Sequence, residues 1–127
     1  MIVLDASAAV SALLNAGEAR TALADEAVHV PHLIDSEIAH ALRRQVLSRS
    51  LGADGGWAAL DTWRQLGVVR HPLGGLLDRV WELRENASAY DATYVALAEA
   101  MGCALVTADA RLSRVPGLRC AVTVVPR

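Results

Sequence analysis

Four acidic residues occupy positions at which a carboxylate could take part in catalysis: Asp5, Glu37, Asp91 and Asp109. Asp5 and Asp109 each follow a short apolar run, and Glu37 and Asp91 fall in the first turn of a predicted helix. Helix capping, the helix dipole or loop composition explains an acid at any one such position. Four acids in one place would be different, because crowded carboxylates repel and raise one another's pKa unless a cation neutralises them. Such a cluster would imply a metal site.

The available ligands favour a hard cation. Carboxylate oxygens without cysteine or a clear histidine set suit Mg²⁺ or Mn²⁺, whereas His29, His32 and His40 match no zinc-ligand spacing. A site of this kind polarises a phosphodiester, activates a water molecule and stabilises the leaving oxygen. The predicted chemistry is therefore phosphodiester hydrolysis.

The elements that must position these acids alternate along the chain. Five apolar runs, "MIVLD", "AVHVP", "VVRHP", "ALVTAD" and "LRCAVTVVP", are separated by helical patterns, which predicts an α/β fold with a parallel sheet of about five strands flanked by helices on both faces. In an open parallel sheet the ligand crevice lies beyond the C-terminal ends of the strands. All four acids map to that edge.

Length and composition limit the possible classes of protein. The 127 residues, 54% of them hydrophobic, fit one domain spanning 1–127. The net charge of -2 argues against binding nucleic acid through a bulk positive field. Cys103 and Cys120 show no paired spacing, and no apolar run is long enough to span a membrane. We therefore expect a cytoplasmic protein with reduced cysteines.

Three segments carry a resemblance to a known family: "IVLDAS" near the start, "DSEIAHALRR" in the first third, and "YDATYVALAEAMGCALVTADARL" near the end. Together, in this order and over nearly the full chain, they resemble a PIN-domain ribonuclease, and more narrowly a VapC toxin of a VapBC toxin-antitoxin pair. The resemblance implies a PIN-like fold and a Mg²⁺- or Mn²⁺-dependent endoribonuclease that cuts structured RNA such as tRNA or rRNA. It also implies a VapB-type antitoxin as partner, and a homodimer that forms a heterotetramer or larger assembly with it.

The resemblance assigns roles to individual residues. It implies that Asp5, Glu37, Asp91 and Asp109 form the catalytic acids, with Asp5, Asp91 and Asp109 around the metal, and that Ser7 and Thr107 support them. Arg84, seven residues before Asp91, is a candidate for binding a substrate phosphate. Asp35 competes with Glu37, but residues i and i+2 do not share a helix face, and Asp35 is better placed as an N-cap.

Two other functions remain open from sequence alone. One is a catalytically silent PIN-like module that binds RNA or protein, although none of the four acids is missing. The other is a phospho-accepting receiver domain, which is disfavoured because the chain contains no lysine and only Asp5 follows the first strand. A separate expectation concerns Leu47, Leu51, Trp57 and Trp63, which surround a loop and could form an apolar clamp for an antitoxin helix.

Overall fold

The structure, a computed structural model, describes all residues 1–127 and contains one five-stranded sheet in which every neighbouring pair is parallel. The strand order is β3-β2-β1-β4-β5. The strands are β1 (Ile2–Leu4), β2 (Val28–Pro31), β3 (Val69–His71), β4 (Ala104–Thr107) and β5 (Val122–Val124). The predicted α/β class, the number of strands and their parallel arrangement are confirmed.

Six α-helices connect the strands and form two groups. The first four pack against one another, and the last two pack together. Because the chain moves outward from β1 to β3 and then returns to β4, right-handed crossovers place these two groups on opposite faces of the sheet. The helices are α1 (Ala6–Leu14), α2 (Glu18–Asp25), α3 (Ile34–Leu47), α4 (Ala53–Gln65), α5 (Leu77–Glu82) and α6 (Ala89–Met101).

The core lies between the central strands and the helices that cover them. Val3, Val30 and Leu105 are fully buried, as expected for strands that are apolar on both sides. Every residue of the segment 92–98 of α6 is also buried, so this helix is enclosed on nearly all sides. In a chain without phenylalanine, Trp63 and Tyr94 are the largest fully buried side chains. Only two aromatic rings therefore contribute to the buried core, and alanine, valine, leucine and isoleucine side chains supply the rest.

The start of α3 differs from the prediction. The helix begins at Ile34 with Leu33 at its N-cap, so Asp35 lies in the first turn and the N-cap assignment is wrong. The Asp35 carboxylate accepts hydrogen bonds from Arg70 Nε at 2.8 Å and from Trp63 Nε1 at 2.7 Å. Asp35 thus joins α3 to β3 and α4, which is a structural role.

The glycine-rich segment after α3 also differs from what its composition predicts. Glycines at 52, 55 and 56 predict a loop, whereas α4 begins at Ala53 and includes Gly55 and Gly56. A Cβ atom at Gly56 would lie 2.9 Å from a methyl carbon of Val46. A side chain there would collide with α3, so the glycine permits close helix packing rather than a turn. Further along the chain, the predicted helix after β3 is shortened to a 3₁₀ turn at Gly74–Leu76 followed by α5.

The expected apolar clamp is only partly present on the surface. Trp63 is 1% exposed and belongs to the core, whereas Leu47 and Trp57 are 64% and 57% exposed on consecutive helices. No helix of the fold has both the length and the apolar character needed to cross a membrane.

Candidate active site

The topology brings the four candidate acids to one edge of the sheet. Asp5 directly follows β1 and Asp109 lies just beyond β4, and these two strands are neighbours with Leu4 paired to Val106. Glu37 lies in the first turn of α3, and Asp91 lies in the first turn of α6. Each of the four acids is close enough for its charge to affect at least one of the others, as described below.

Asp5 is the most deeply buried acid of the cluster, with 5% of its surface exposed. Its carboxylate caps α1 by accepting a hydrogen bond from the Ala8 amide at 2.9 Å, and it also accepts from Ser7 Oγ at 2.7 Å and from Thr107 Oγ1. Burial raises the pKa of Asp5, the three hydrogen bonds oppose this rise, and the negative charge of Asp91 adds to it. The site therefore holds Asp5 in one orientation at an electrostatic cost.

Ser7 and Thr107 also connect the end of β4 to the start of α1. Ser7 Oγ accepts a hydrogen bond from the Ala108 amide at 3.0 Å, and Thr107 Oγ1 accepts from the Asp109 amide at 3.0 Å. Two hydroxyl groups thus orient Asp5 and fix the backbone that carries Asp109. This arrangement is what a supporting role for Ser7 and Thr107 requires.

Glu37 is held by a residue that the sequence did not indicate. Tyr94 donates a hydrogen bond from its hydroxyl to Glu37 Oε1. Burial raises the pKa of Glu37, the Tyr94 hydrogen bond lowers it, and the charges of Asp91 and Asp5 raise it further. The signal that could have identified Tyr94 is its spacing, since residues i and i+3 share a helix face and Tyr94 follows Asp91 by three positions.

Asp91 is the acid whose charge is linked to those of all three others. Its helix is capped by Ser88, whose Oγ accepts a hydrogen bond from the Asp91 amide at 3.1 Å. Burial raises the pKa of Asp91, and the neighbouring charge of Asp109 raises it further, while Arg111 acts in the opposite direction. Three of the four carboxylates therefore lie in surroundings that disfavour their charged form.

Asp109 is the exception, because an arginine two residues away neutralises it. Arg111 donates from Nη2 to Asp109 Oδ2 at 2.7 Å, and from Nε to both carboxylate oxygens at 3.1 and 3.2 Å. These hydrogen bonds lower the pKa of Asp109. Sequence reasoning did not identify Arg111, and an Asp-x-Arg spacing by itself carries little signal.

The chemistry of the cluster fits a hard divalent cation. Its donors are carboxylate and hydroxyl oxygens, and its raised pKa values arise from burial together with repulsion between like charges that a cation would relieve. No three His, Cys, Asp or Glu side chains of the fold are already arranged to hold a metal ion. In this structure Asp109 is instead paired with Arg111.

Two cavities open beside the acids. The larger, of about 1200 Å³, lies between α1 and α3 and is lined by Ser7, Glu37, His40, Arg44, Tyr90 and Arg127, among others. The smaller, of about 520 Å³, is lined by Asn86, Ser88, Asp91, Asp109, Arg111 and Arg114, among others. Glu37 thus lines one cavity and Asp91 and Asp109 line the other, and each cavity carries arginines.

Arg84 is not brought to the acids. Its guanidinium lies over the Trp81 ring at 4.8 Å, donates to the Trp81 carbonyl oxygen at 2.9 Å, and lines neither cavity. The histidines do not form a metal site either: His29 Nδ1 lies 2.9 Å from His71 Nε2 without a third ligand. Of the four histidines in the chain, only His40 lines either cavity.

Comparison with known proteins identifies the family. A PIN domain family profile matches residues 2–118. Ribonuclease VapC9 of Mycobacterium tuberculosis is 61% identical over 127 residues, covering 100% of both chains. The chain belongs to the PIN-domain family, among the VapC ribonucleases. Ribonuclease VapC1 of the same organism is 42% identical over 128 residues, covering 97% of this chain and 96% of the relative. The predicted toxin-type endoribonuclease is thereby confirmed at the level of the family, and the receiver-domain alternative loses its support.

Solved structures of low sequence identity share the PIN fold. Mycobacterium tuberculosis VapC20, described as a sarcin-ricin loop cleaving toxin, superposes with a TM-score of 0.67 at 22% identity, over 93% of this chain and 96% of that one. VapBC2 from Rickettsia felis, bound to a DNA fragment from its promoter, gives a TM-score of 0.70 at 16% identity, over 98% of this chain and 99% of that one.

Proposed function

We propose that this VapC-family protein is a toxin whose single PIN domain, residues 1–127, hydrolyses RNA phosphodiester bonds with the help of Mg²⁺ or Mn²⁺. The observation that carries the metal requirement is the cluster of Asp5, Glu37 and Asp91, each with a raised pKa at the same edge of the sheet. A cation bound there would supply charge neutralisation for the carboxylates and polarisation of the scissile phosphate.

The residues of the cluster divide the work according to their surroundings. Asp5, Asp91 and Asp109 present carboxylate oxygens for the cation, and Ser7 and Thr107 hold Asp5 in place. Glu37 is half-buried, and Tyr94 occupies its Oε1 atom. We assign its Oε2 atom to orienting the attacking water and accepting its proton, since a carboxylate with a raised pKa is a better base.

The larger cavity is the proposed path of the RNA toward the acids. Arg44 and Arg127 line it together with Glu37, so a protein of net charge -2 still offers local positive charge to a phosphate backbone, and His40 adds a polar ring. Tyr90 is exposed next to Asp91 and can stack on an unpaired base. Single-stranded loops of structured RNA present such bases, which favours tRNA or rRNA as the substrate.

The proposed partner is a VapB-type antitoxin, as in the VapBC2 assembly. Leu47 and Trp57 expose apolar surface on α3 and α4 that an amphipathic antitoxin helix can cover. An antitoxin arginine reaching the acids would pair with Asp5, Asp91 or Glu37 and inhibit by replacing the cation's charge. We further propose that the toxin forms a homodimer, joins the antitoxin in a heterotetramer or larger assembly, and acts in the cytoplasm.

The test is RNA cleavage by the purified protein. Total RNA is incubated with wild type, with and without Mg²⁺, and the ends of any fragments are sequenced to identify the RNA and the cleaved bond. We expect discrete fragments only with the cation, and none with Asp91→Asn. Asp54→Asn, which removes an exposed acid from the first turn of α4, is the matched control and should cut like wild type. RNA that is bound but left intact at every Mg²⁺ concentration would instead identify a silent binding module.

A further inference from the structure

Arg111 is the only cationic side chain that forms an ion pair with any of the four candidate acids. Its guanidinium contacts both oxygens of Asp109, although the arginine side chain itself is 81% exposed. The Asp109 side chain is 17% exposed. The Asp109 carboxylate is therefore largely shielded from solvent, while its counterion is exposed to it.

This pairing uses the atoms that a divalent cation would need. Both Asp109 oxygens accept hydrogen bonds from Arg111, and the charge of Asp91 also stabilises the guanidinium. Arginine bound in this way occupies the carboxylate and offsets part of the repulsion in the cluster. A divalent cation and Arg111 therefore compete for Asp109.

The surroundings of Arg111 indicate what it binds when it leaves Asp109. The smaller cavity also contains Arg114, which forms no ion pair, together with the polar side chains of Ser88 and Asn86. A guanidinium released into this cavity has donors and positive charge beside it and no second carboxylate partner outside the cluster. Arginine binds phosphate through paired N–H donors, which suits an RNA backbone leaving the cleavage site.

We propose that Arg111 is a switchable counterion: it neutralises Asp109 in the metal-free protein and binds an RNA phosphate in the smaller cavity once a divalent cation takes Asp109. This inference rests on the proposed function. It adds a second phosphate contact, in a cavity lined by Asp91 and Asp109 rather than by Glu37. It also requires little energy for the exchange, because an exposed ion pair is weak and easily opened.

The first measurement is Mn²⁺ binding without RNA, by isothermal titration calorimetry, on wild type, Arg111→Gln and Arg64→Gln. Arg64 is the matched control, because it is an exposed arginine in an ion pair with Asp61 and lines neither cavity. Arg111→Gln should bind Mn²⁺ roughly two- to fivefold more tightly, the strength of an exposed ion pair expressed as an equilibrium ratio. Arg111→Lys keeps the charge, so its Mn²⁺ affinity should lie between those of wild type and Arg111→Gln. The Mn²⁺ affinity of Arg64→Gln should match that of wild type.

The second measurement is binding of unfractionated tRNA in the presence of Ca²⁺, by filter retention over a range of salt concentrations. Arg111→Gln should bind more weakly than wild type and Arg64→Gln, with a salt slope smaller by about one phosphate contact. Circular dichroism checks that each variant is folded. Tighter Mn²⁺ binding together with weaker tRNA binding supports the switch.

Two results would overturn the switch while leaving the proposed function intact. One is unchanged or weaker Mn²⁺ binding by Arg111→Gln when wild type binds the ion, which would show that Arg111 does not compete for Asp109. The other is tRNA binding equal to wild type, which would remove the phosphate role. If wild type binds no Mn²⁺ and cuts no RNA, the proposed function fails and the switch fails with it.

Discussion

The hydroxyl of Tyr94 on α6 donates a hydrogen bond to Glu37 on α3, across a sequence separation of 57 residues. Tyr94 is 2% exposed, so its ring fills the core while its hydroxyl reaches the acid cluster. One side chain thus connects the packing of the fold to the orientation of a candidate catalytic acid. Burial and this contact together raise the pKa of Tyr94 and keep its proton on the phenol oxygen.

Tyr94→Phe tests this connection, because it removes the hydroxyl and keeps the ring. The hydrogen bond lowers the pKa of Glu37, so its loss should raise that pKa and move the acid limb of the pH–rate profile to higher pH. We expect a loss of about 1 kcal/mol in the free energy of unfolding. Tyr90→Phe is the control, because it removes the hydroxyl of an exposed tyrosine on the same helix and keeps the ring that is proposed to stack on a base. An acid limb that stays in place would argue against Glu37 as the base.

Asp91→Asn should abolish cleavage and raise the stability of the metal-free protein at neutral pH. Burial and the charge of Asp109 raise the pKa of Asp91, so the folded state disfavours its carboxylate and an amide removes that penalty. Asp5→Asn should also abolish cleavage, but its stability effect is mixed because Asp5 caps α1. Thermal melts in chelator test the distinction. An Asp91→Asn protein that melts well below wild type would contradict it.

The pH dependence of stability should change with metal. An acid whose folded-state pKa is raised contributes stability that is complete below its unfolded pKa and is lost as pH rises through the folded pKa. Asp5, Glu37 and Asp91 all follow this sign, so the metal-free protein should lose their contribution as pH rises above the ordinary carboxyl range. Saturating Mn²⁺ should stabilise the charged carboxylates and reverse the trend. Melting curves over pH, with and without Mn²⁺, measure both slopes, and identical slopes would contradict the site.

Asp35 and Glu37 make a matched pair that separates structure from catalysis. Although burial raises the pKa of Asp35, hydrogen bonds from Arg70 and Trp63 outweigh it and leave that pKa lowered. Asp35→Asn should cost about 1 kcal/mol in the free energy of unfolding, because the ion pair is partly exposed, and should keep activity. Glu37→Gln should instead abolish cleavage without lowering the free energy of unfolding. Unfolding titrations and cleavage assays on both variants decide it, and loss of cleavage in Asp35→Asn with its fold intact would reverse the assignment.

The sequence predicted the parts of this protein that depend on local patterns. The apolar runs before Asp5 and Asp109 defined strands, and the topology of parallel strands then placed both acids at one edge. Contacts between distant segments were not predictable in the same way. The spacing of Tyr94 with Leu97 and Met101 indicates only an apolar helix face, and nothing local shows that its hydroxyl meets Glu37.

Side-chain direction explains the remaining differences. Arg84 is close to Asp91 in sequence, yet its guanidinium lies over Trp81, whereas Arg111 beside Asp109 is the arginine that contacts the cluster. Gly56 looked like a loop residue, because only the packing of α4 against Val46 gives it a reason to be in a helix. Such features depend on which atoms meet after folding, so composition and spacing do not specify them.

The apolar residues on α3 and α4 provide a prediction about the antitoxin. Trp57 is 57% exposed with Arg64 over its ring at 5.4 Å, and Leu47 is 64% exposed. Truncating them removes little core packing, so Trp57→Ala should unfold within about 0.5 kcal/mol of wild type. Because a buried tryptophan often dominates an interface, the same change should weaken binding of the co-expressed antitoxin by about tenfold or more.

Trp81→Ala is the matched control for this prediction. Trp81, which is 68% exposed on α5, is also stacked with an arginine but belongs to the group of helices at the opposite face of the sheet. The Trp81→Ala variant should bind the antitoxin like wild type. Weaker self-association of this variant would indicate that the toxin dimer forms through α5. Calorimetry with the purified antitoxin and mass measurement of each complex separate the two effects. If wild type and Trp57→Ala bind the antitoxin with equal affinity, the antitoxin does not bind to α4. Trp63 lies in the core, and no other large apolar side chain of α4 is exposed to receive an antitoxin helix.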